Sequence, residues 1–199
     1  MPAELVTQEV ELPGGALRIA QPADAADVPD DGPVEWAPLV DYWSVLWRSG
    51  VALGRELAGA DLRGRRFAEL GCGLGVPSLV AARAGATVLA TDAYPEPLEL
   101  LARNAETNGV ELETAVADWY HPGSLLERAP FDVVVAADVL YIEPAVDFFC
   151  ELLPQLTREF WLADPGRAGA AEFLRRADAD WAIECVKRGF VQVHRLVAH

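Results

Sequence analysis

Two hydrophobic periodicities alternate along most of the chain, in an order typical of an α/β protein. Runs of four to seven residues rich in apolar and β-branched side chains indicate strands, and the near-continuous apolar run 131–137 indicates a central strand that is buried on both faces. Apolar residues at every third or fourth position indicate helices. The strand-like runs are 67–70, 87–91, 112–117, 131–137 and 159–163, and the helix-like segments are 76–83, 96–108, 142–156 and 170–177. In a strand–helix–strand unit, the helix crosses over the sheet and returns the chain to a strand parallel to the first. The alternation of strands and helices therefore predicts a parallel sheet that is covered by helices.

The helix predicted over 96–108 has a clear apolar side. Its spacing predicts that Leu98, Leu101, Ala102 and Ala105 face the sheet. The polar residues between them are expected to face solvent.

The N-terminal part of the chain shows a different pattern. Residues 5–19 alternate on either side of Pro13-Gly14-Gly15 and predict a β-hairpin, and the segment 21–33, rich in Ala, Asp and Pro, predicts a loop. A helix is then expected to start near Asp41 or Ser44.

The segment that contains this helix is rich in aromatic residues. Trp43 and Trp47 are four positions apart, which would place both rings on one face of a helix. Buried core positions are the ordinary place for such rings.

The C-terminal segments 181–187 and 190–197 flank Arg188-Gly189 and predict an antiparallel hairpin. This hairpin would follow the five strands of the parallel sheet along the chain. We expect one domain over residues 1–199. Its parts are an N-terminal hairpin and loop in 1–33, a helix over the pocket in 34–60 and a core of sheet and helices in 61–199.

A glycine-rich turn, Gly71-Cys72-Gly73-Leu74-Gly75, lies between the first parallel strand and its helix, and Asp92 ends the next strand. Both strand ends meet at one edge of the sheet, where open α/β sheets bind ligands. The glycines let a ligand approach the backbone, and the helix N-terminus offers N–H groups. A nicotinamide cofactor is disfavoured, because its G-x-G-x-x-G motif needs glycine where this chain has Val76.

The string ELGCGLG, with Glu69 before the first glycine, resembles the first motif of class I S-adenosylmethionine-dependent methyltransferases. The aromatic segment YWSVLWRSG resembles the opening of the seven-β-strand lysine methyltransferases called methyltransferase family 16, although Asp41 stands where many relatives carry proline. The resemblance implies a Rossmann-like α/β fold, with a doubly wound, seven-stranded and mostly parallel sheet that has helices on both faces. It also implies S-adenosylmethionine as cofactor. The cofactor-binding residues it implies are Trp47, Glu69, Gly71, Cys72, Gly73, Asp92, Asp118, Trp119 and Ala137.

Three of these positions have specific implied roles. Trp47 matches the tryptophan that lies against the cofactor in this group. Asp118 matches the acid that accepts the adenine amino group, and Trp119 matches the tryptophan beside it.

Asp138-Val139-Leu140-Tyr141 matches the D-x-x-Y motif that follows the fourth strand in the same group, which implies that Asp138 and Tyr141 are catalytic. Methyl transfer is an in-line displacement, so the site mainly has to position the nucleophile. A lysine amine, with an unperturbed pKa of ~10.4, must be neutral to attack. Asp138 would capture and orient the incoming ammonium, and Tyr141 would narrow the pocket and stack on the cation.

The amino-acid composition limits the classes of partner that we expect for this protein. The formal net charge of −15 over 199 residues argues against a nucleic-acid substrate. No run approaches the ~18 apolar residues of a membrane span, and the N-terminus lacks the pattern of a signal peptide. Three cysteines without disulfide or metal spacing, and three scattered histidines, predict a cytoplasmic protein without a metal site.

The leading hypothesis is therefore N-methylation of a lysine side chain in a protein. No lid is inserted between the strands, which leaves the pocket open to a side chain, and Asp164-Pro165-Gly166-Arg167 resembles bacterial relatives of the electron-transfer-flavoprotein β lysine methyltransferases. Two alternatives remain open from the residues. One is a small-molecule N- or O-methyltransferase similar to the nicotinamide-methylating enzymes, and the other is a protein that binds the cofactor without catalysis.

Overall fold

A computed structural model describes residues 4–28 and 41–199. The strands are β1 (Leu5–Val10), β2 (Leu17–Pro22), β3 (Arg66–Leu70), β4 (Thr87–Asp92), β5 (Glu113–Val116), β6 (Val133–Ala137), β7 (Glu159–Asp164), β8 (Trp181–Arg188) and β9 (Val191–Ala198). The helices are α1 (Arg48–Leu57), α2 (Val76–Arg83), α3 (Pro95–Thr107), α4 (Gly123–Leu126), α5 (Glu143–Leu156) and α6 (Ala168–Ala177). Short 3₁₀ turns occupy Ala23–Ala25 and Tyr42–Ser44. The short α4 is the one α-helix in this part of the chain that the periodicity did not predict.

Strands β3 to β9 form one seven-stranded sheet, which confirms the expected fold class, and the structure gives the strand order β5-β4-β3-β6-β7-β9-β8. The first five are parallel to one another, and β9 pairs antiparallel with both β7 and β8. The chain first builds outward from β3 through β4 to β5 and then returns to place β6 on the other side of β3. The carboxyl ends of β3 and β6 are therefore the switch point, where such sheets have a crevice for ligands.

The two faces of the sheet carry separate layers of core. In β6, Val133 and Val135 belong to the apolar layer beneath α1, α2 and α3, whereas Val134 and Ala136 belong to the layer beneath α5 and α6. All four side chains are fully buried. This explains why β6 reads as a continuous apolar run rather than as an alternating one.

The N-terminal hairpin is confirmed, but it is longer than predicted. Strand β2 continues to Pro22, and Gln21 is buried, so the loop expected over 21–33 begins later; residues 29–33 lie outside the described part. The predicted inward face of α3 is wrong at Ala102, which is exposed, whereas Asn104 is fully buried. The cause is the hairpin, because the Asn104 amide bonds to the main chain of Ala20.

The helix expected from Asp41 or Ser44 begins only at Arg48, so Trp43 and Trp47 do not share a helix face. Ser44 donates from both its backbone nitrogen and its hydroxyl to the Asp41 carbonyl, at 2.9 and 2.6 Å, which closes a 3₁₀ turn. The chain then extends before α1. Residues 34–40 of the predicted helical segment are not among those described.

None of the helices in residues 4–28 and 41–199 combines the length and apolar character that a membrane-spanning helix requires.

We predict that Asn104→Ala lowers the free energy of unfolding by about 1–3 kcal/mol, because it leaves buried main-chain groups of β2 without partners. The Asn104 Oδ1 accepts from the Ala20 nitrogen at 2.8 Å, and its Nδ2 donates to the Ala20 carbonyl at 3.2 Å. Urea denaturation measures the effect. Asn108→Ala is the matched control, since Asn108 makes the same pair of bonds to Arg18 but is partly exposed, so that water replaces them. Equal losses in the two variants would contradict the prediction.

Candidate active site

A cavity of about 800 Å³ opens at the carboxyl ends of β3, β4 and β6. Its volume lies within the range of small-molecule and cofactor sites. The structure brings together around it all eleven residues singled out from the sequence: Trp47, Glu69, Gly71, Cys72, Gly73, Asp92, Asp118, Trp119, Ala137, Asp138 and Tyr141. Their individual roles remain predictions.

The glycine turn needs its glycines for conformation and for space. Gly71, Gly73 and Gly75 have φ of 69°, 48° and 70°, a region that side chains rarely adopt. A Cβ atom at Gly73 would lie 3.0 Å from the carbonyl oxygen of Trp43. The segment before α1 therefore packs directly on the turn and forms one wall of the cavity.

Asp92 joins the ends of two strands. Its Oδ2 accepts a hydrogen bond from the Gly73 nitrogen at 3.0 Å, across 19 positions of sequence. Burial raises the pKa of this carboxyl, opposed by the N–H groups of Gly73, Tyr94 and Ala93. A carboxylate offers about four lone-pair positions, so Asp92 keeps acceptor capacity for the hydroxyl groups of a ligand.

Glu69 lies at the floor of the cavity and ties β3 to α2. Its Oε2 accepts from the Ser78 nitrogen at 2.9 Å and from the Ser78 hydroxyl at 2.5 Å. Ser78 is in the first turn of α2, where main-chain N–H groups lack helical partners. Burial raises the pKa of Glu69 to about 8 despite these bonds.

Asp118 and Trp119 follow β5 but sit in different environments. Asp118 is exposed, and the hydrogen bond from His121 Nδ1 at 2.9 Å holds the pKa of its carboxyl below the usual value. Trp119 is partly buried and packs edge-on against Phe149, with ring centroids 5.1 Å apart. Its other side lies against Gly71, where a Cβ atom would meet the indole at 3.1 Å.

Asp138 has the one positive φ, 58°, among the described residues other than glycine. A backbone held in this region costs energy and is common at functional sites. Asp138 is 8% exposed, and its Oδ1 accepts from the Arg167 Nε at 2.5 Å. The sequence analysis missed this partner. Arg167 follows β7, whose carboxyl end lies beside that of β6, and only the strand order of the structure brings the two side chains together.

A tight turn presents Arg167. The Oδ1 of Asp164 accepts from the nitrogens of Gly166 and Arg167 at 2.7 and 2.6 Å. Asp164 is 1% exposed, and burial raises the pKa of its carboxyl. Its Oδ2 is buried without a hydrogen-bond partner.

The chain contains four tyrosines, and all four line this cavity with exposed side chains. We call Tyr42, Tyr94, Tyr120 and Tyr141 the tyrosine rim. The rings of Tyr42 and Tyr141 are 5.8 Å apart, and the partly buried Trp47 stacks on Tyr42 with centroids 6.2 Å apart. The Trp47 indole also donates to the Tyr42 carbonyl at 2.8 Å.

The Asp, Glu, Lys, Arg and His side chains among the described residues that line the cavity are all acids, so every one of them that is ionised is negative. Six of the described lining residues are acidic, and none is Lys, Arg or His. The six are Asp41, Glu69, Asp92, Glu96, Asp118 and Asp138. Such a lining favours a cationic ligand.

A family model described as lysine methyltransferase matches residues 41–160. The chain belongs to this family. It is 32% identical over 145 residues to the electron transfer flavoprotein beta subunit lysine methyltransferase of Xenopus laevis, and this alignment covers 68% of this chain and 57% of that protein. It is also 32% identical over 121 residues to the protein N-lysine methyltransferase METTL21A of Danio rerio, and this alignment covers 57% of this chain and 55% of that protein. The lysine methyltransferase resemblance found in the sequence is thus confirmed.

These alignments span little more than half the length of the two relatives. Among solved structures, the fold matches the T. thermophilus 16S rRNA N2 G1207 methyltransferase, in complex with AdoMet and guanosine. The TM-score is 0.71 at 19% identity, over 100% of this chain and 52% of that one. Identity this low shows the fold alone.

The cofactor of this lysine methyltransferase family member is S-adenosylmethionine. The cavity fits it on three counts. The acidic lining suits a sulfonium cation, the Asp92 carboxylate has acceptor capacity for ribose hydroxyls, and the glycine turn leaves the backbone open to close approach.

We predict that the contribution of Glu69 to stability falls as the pH rises from about 5 to 8. The folded protein keeps the Glu69 proton up to about pH 8, whereas the unfolded chain loses it near 4.5. The folded state then binds more protons in this window, so its free energy of unfolding decreases with rising pH.

Glu69→Gln cannot titrate and isolates this effect. Urea denaturation of both proteins at about pH 5, 6.5 and 8 should show the wild type losing on the order of a few kcal/mol relative to the variant. Parallel pH curves for the two proteins would show that Glu69 does not titrate in this window.

Proposed function

We propose that this protein is an enzyme that transfers the methyl group of S-adenosylmethionine to a lysine side chain of a protein. The observation that carries the proposal is the position of Asp138 and Tyr141 on the same cavity as the glycine turn and Asp92. The sites for methyl donor and acceptor would then be neighbours. In-line displacement requires that arrangement.

On the donor side, Asp92 would accept hydrogen bonds from the ribose hydroxyls, and Asp118 would accept from the adenine amino group. Trp119 and Trp47 would cover the cofactor, while Gly71 and Gly73 let it approach the main chain. The bound cofactor supplies a methyl group on a positively charged sulfur. The acidic lining of the cavity supports the binding of that charge.

On the acceptor side, Asp138 would orient the incoming lysine ammonium. The exposed ring of Tyr141 would contact the aliphatic stem and the cation. The amine must lose a proton before it attacks. Because the rim is exposed, that proton can pass to bulk water.

A protein acceptor is favoured over a small molecule by the tyrosine rim. Exposed aromatic rings around a pocket mouth are typical of surfaces that bind another protein. A closed pocket would instead bury most of a small acceptor. The relatives described as protein lysine methyltransferases support the same choice.

The activity is tested by radiolabelled methyl transfer from S-adenosylmethionine. Two acceptors are offered: the purified electron transfer flavoprotein β subunit of the source organism, suggested by the name of one relative, and the proteome of a strain that lacks this protein. Amino-acid analysis of the labelled band identifies the modified residue. Label on lysine supports the proposal. Label confined to small molecules, or no label, would contradict it.

Asp92→Ala should weaken the binding of S-adenosylmethionine by about 1.5–3 kcal/mol, because it removes hydrogen bonds to a charged acceptor. Calorimetry measures the dissociation constants. Glu99→Gln is the matched control, since Glu99 is an exposed acid of α3 that does not line the cavity. Unchanged affinity in Asp92→Ala would remove Asp92 from the cofactor site.

Asp138→Asn should lower the rate of methyl transfer at least about tenfold, because it removes the charge that orients the ammonium. Affinity for S-adenosylhomocysteine, which lacks the positive charge on sulfur, should stay within about twofold of wild type, since Asp138 serves the acceptor side. Initial rates and calorimetry on the two proteins separate these effects. A variant with wild-type rates would remove Asp138 from the catalytic residues.

A further inference from the structure

The carboxylate proposed to orient the substrate ammonium already has a cation beside it. The Arg167 Nε lies 2.5 Å from the Asp138 Oδ1, and the two side chains are only 15% and 6% exposed. A pair of this kind is far less screened by solvent than a surface ion pair. An amine that approaches Asp138 therefore experiences the electric field of both charges, the carboxylate and the guanidinium.

The position of Arg167 is constrained from both sides. The turn formed by Asp164, Pro165 and Gly166 fixes its backbone through the two bonds to Asp164 Oδ1. On the other side, the Asp138 nitrogen donates to the Ala163 carbonyl at 2.8 Å, which holds Asp138 at its positive φ. The two charges thus come from neighbouring strand ends rather than from flexible loops.

An unaccompanied carboxylate would hinder the reaction that it serves. It favours the charged form of a nearby amine, and the charged form has no lone pair for attack. A guanidinium in contact with the carboxylate offsets this effect while leaving an acceptor to orient the amine. The chain pairs Asp138 with arginine, which stays protonated under all ordinary conditions.

We propose that Arg167 is a positioning residue: it holds the Asp138 carboxylate and offsets its charge, so that the acceptor lysine is neutral when it meets the methyl group. This inference rests on the proposed function. In the step it serves, the amine first releases a proton to water. The nitrogen lone pair then forms the bond to the methyl carbon, the carbon–sulfur bond breaks, and its electrons remain on sulfur as a neutral thioether.

Other titratable groups surround the pair and must be considered with it. Asp164 and Tyr42 act on Arg167, and Asp92, Tyr94 and Tyr42 lie near Tyr141. All of these are acids or phenols. Among these groups, all in the part of the chain that the structure describes, the positive charge therefore comes from Arg167.

The test compares two ligands that differ in charge at sulfur. S-adenosylmethionine carries a sulfonium, and S-adenosylhomocysteine carries a neutral thioether, so the ratio of their affinities reports the charge near the methyl position. Arg167→Gln should shift this ratio at least about threefold toward S-adenosylmethionine, and Asp138→Asn should shift it by a similar factor the other way. Calorimetry measures both ligands, and thermal melts monitor folding.

Two further variants separate charge from simple support of the fold. Arg167→Lys keeps the charge and should keep the ratio within about twofold of wild type. The double variant Asp138→Asn/Arg167→Gln removes both charges and should return the ratio to within about twofold of wild type. If Arg167→Gln alone does not fold, the double variant still tests the inference. A double variant whose affinity ratio is shifted as far from wild type as that of Asp138→Asn would overturn it. An unshifted ratio in a folded Arg167→Gln would overturn it as well.

Kinetics provide the second readout. In Arg167→Gln the pH at which methyl transfer reaches half its maximal rate should rise by about one unit, and Arg167→Lys should restore it. The affinity ratios need no acceptor, so absence of lysine methylation with the expected ratios would refute only the proposed activity. Lysine methylation with unshifted ratios or an unshifted pH profile would refute the role of Arg167.

Discussion

The contact on which the cavity depends is the hydrogen bond from the Gly73 nitrogen to the Asp92 carboxylate. It fixes the glycine turn after β3 to the last residue of the neighbouring strand β4 and so holds the turn in place at the edge of the cavity. Glycine is required on one side because φ is positive and the carbonyl of Trp43 lies close. On the other side, the Asp92 Oδ2 reaches the Gly73 nitrogen at 3.0 Å. The aromatic segment before α1 then closes the wall.

Burial makes the acids of this site costly to ionise without a cation. Burial raises the pKa of Glu69, Asp92 and Asp164, although each accepts main-chain hydrogen bonds. Binding of a positively charged ligand would lower the same pKa values, because a nearby positive charge stabilises the ionised carboxylate. Cofactor affinity and the protonation of the cavity are therefore coupled, and both respond to the charge at sulfur.

The sequence predicted the sheet well for two reasons. Its central strands β3, β4 and β6 are buried on both faces, and its glycine turn and acids lie at strand ends, where they can be read directly from the sequence. It failed where a distant segment decided the outcome. Asn104 is inward because it bonds to β2, 84 positions away. The partner of Asp138 was missed for the same reason, since periodicity says nothing about which side chains meet across two strand ends. The late start of α1 has a local cause instead, because Asp41 and Ser44 close a 3₁₀ turn before it.

Two carboxylates at equivalent places in the sheet are held by different kinds of donor. Asp92, the last residue of β4, accepts from a neutral main-chain N–H, whereas Asp138, the residue after β6, accepts from a guanidinium. A neutral donor orients a carboxylate and leaves its charge available to a cationic ligand, but a guanidinium orients it and offsets the charge. Under the proposed function, the same residue type would bind the cofactor on one side of the switch point and orient the acceptor amine on the other. The difference lies in Arg167, at the end of the neighbouring strand.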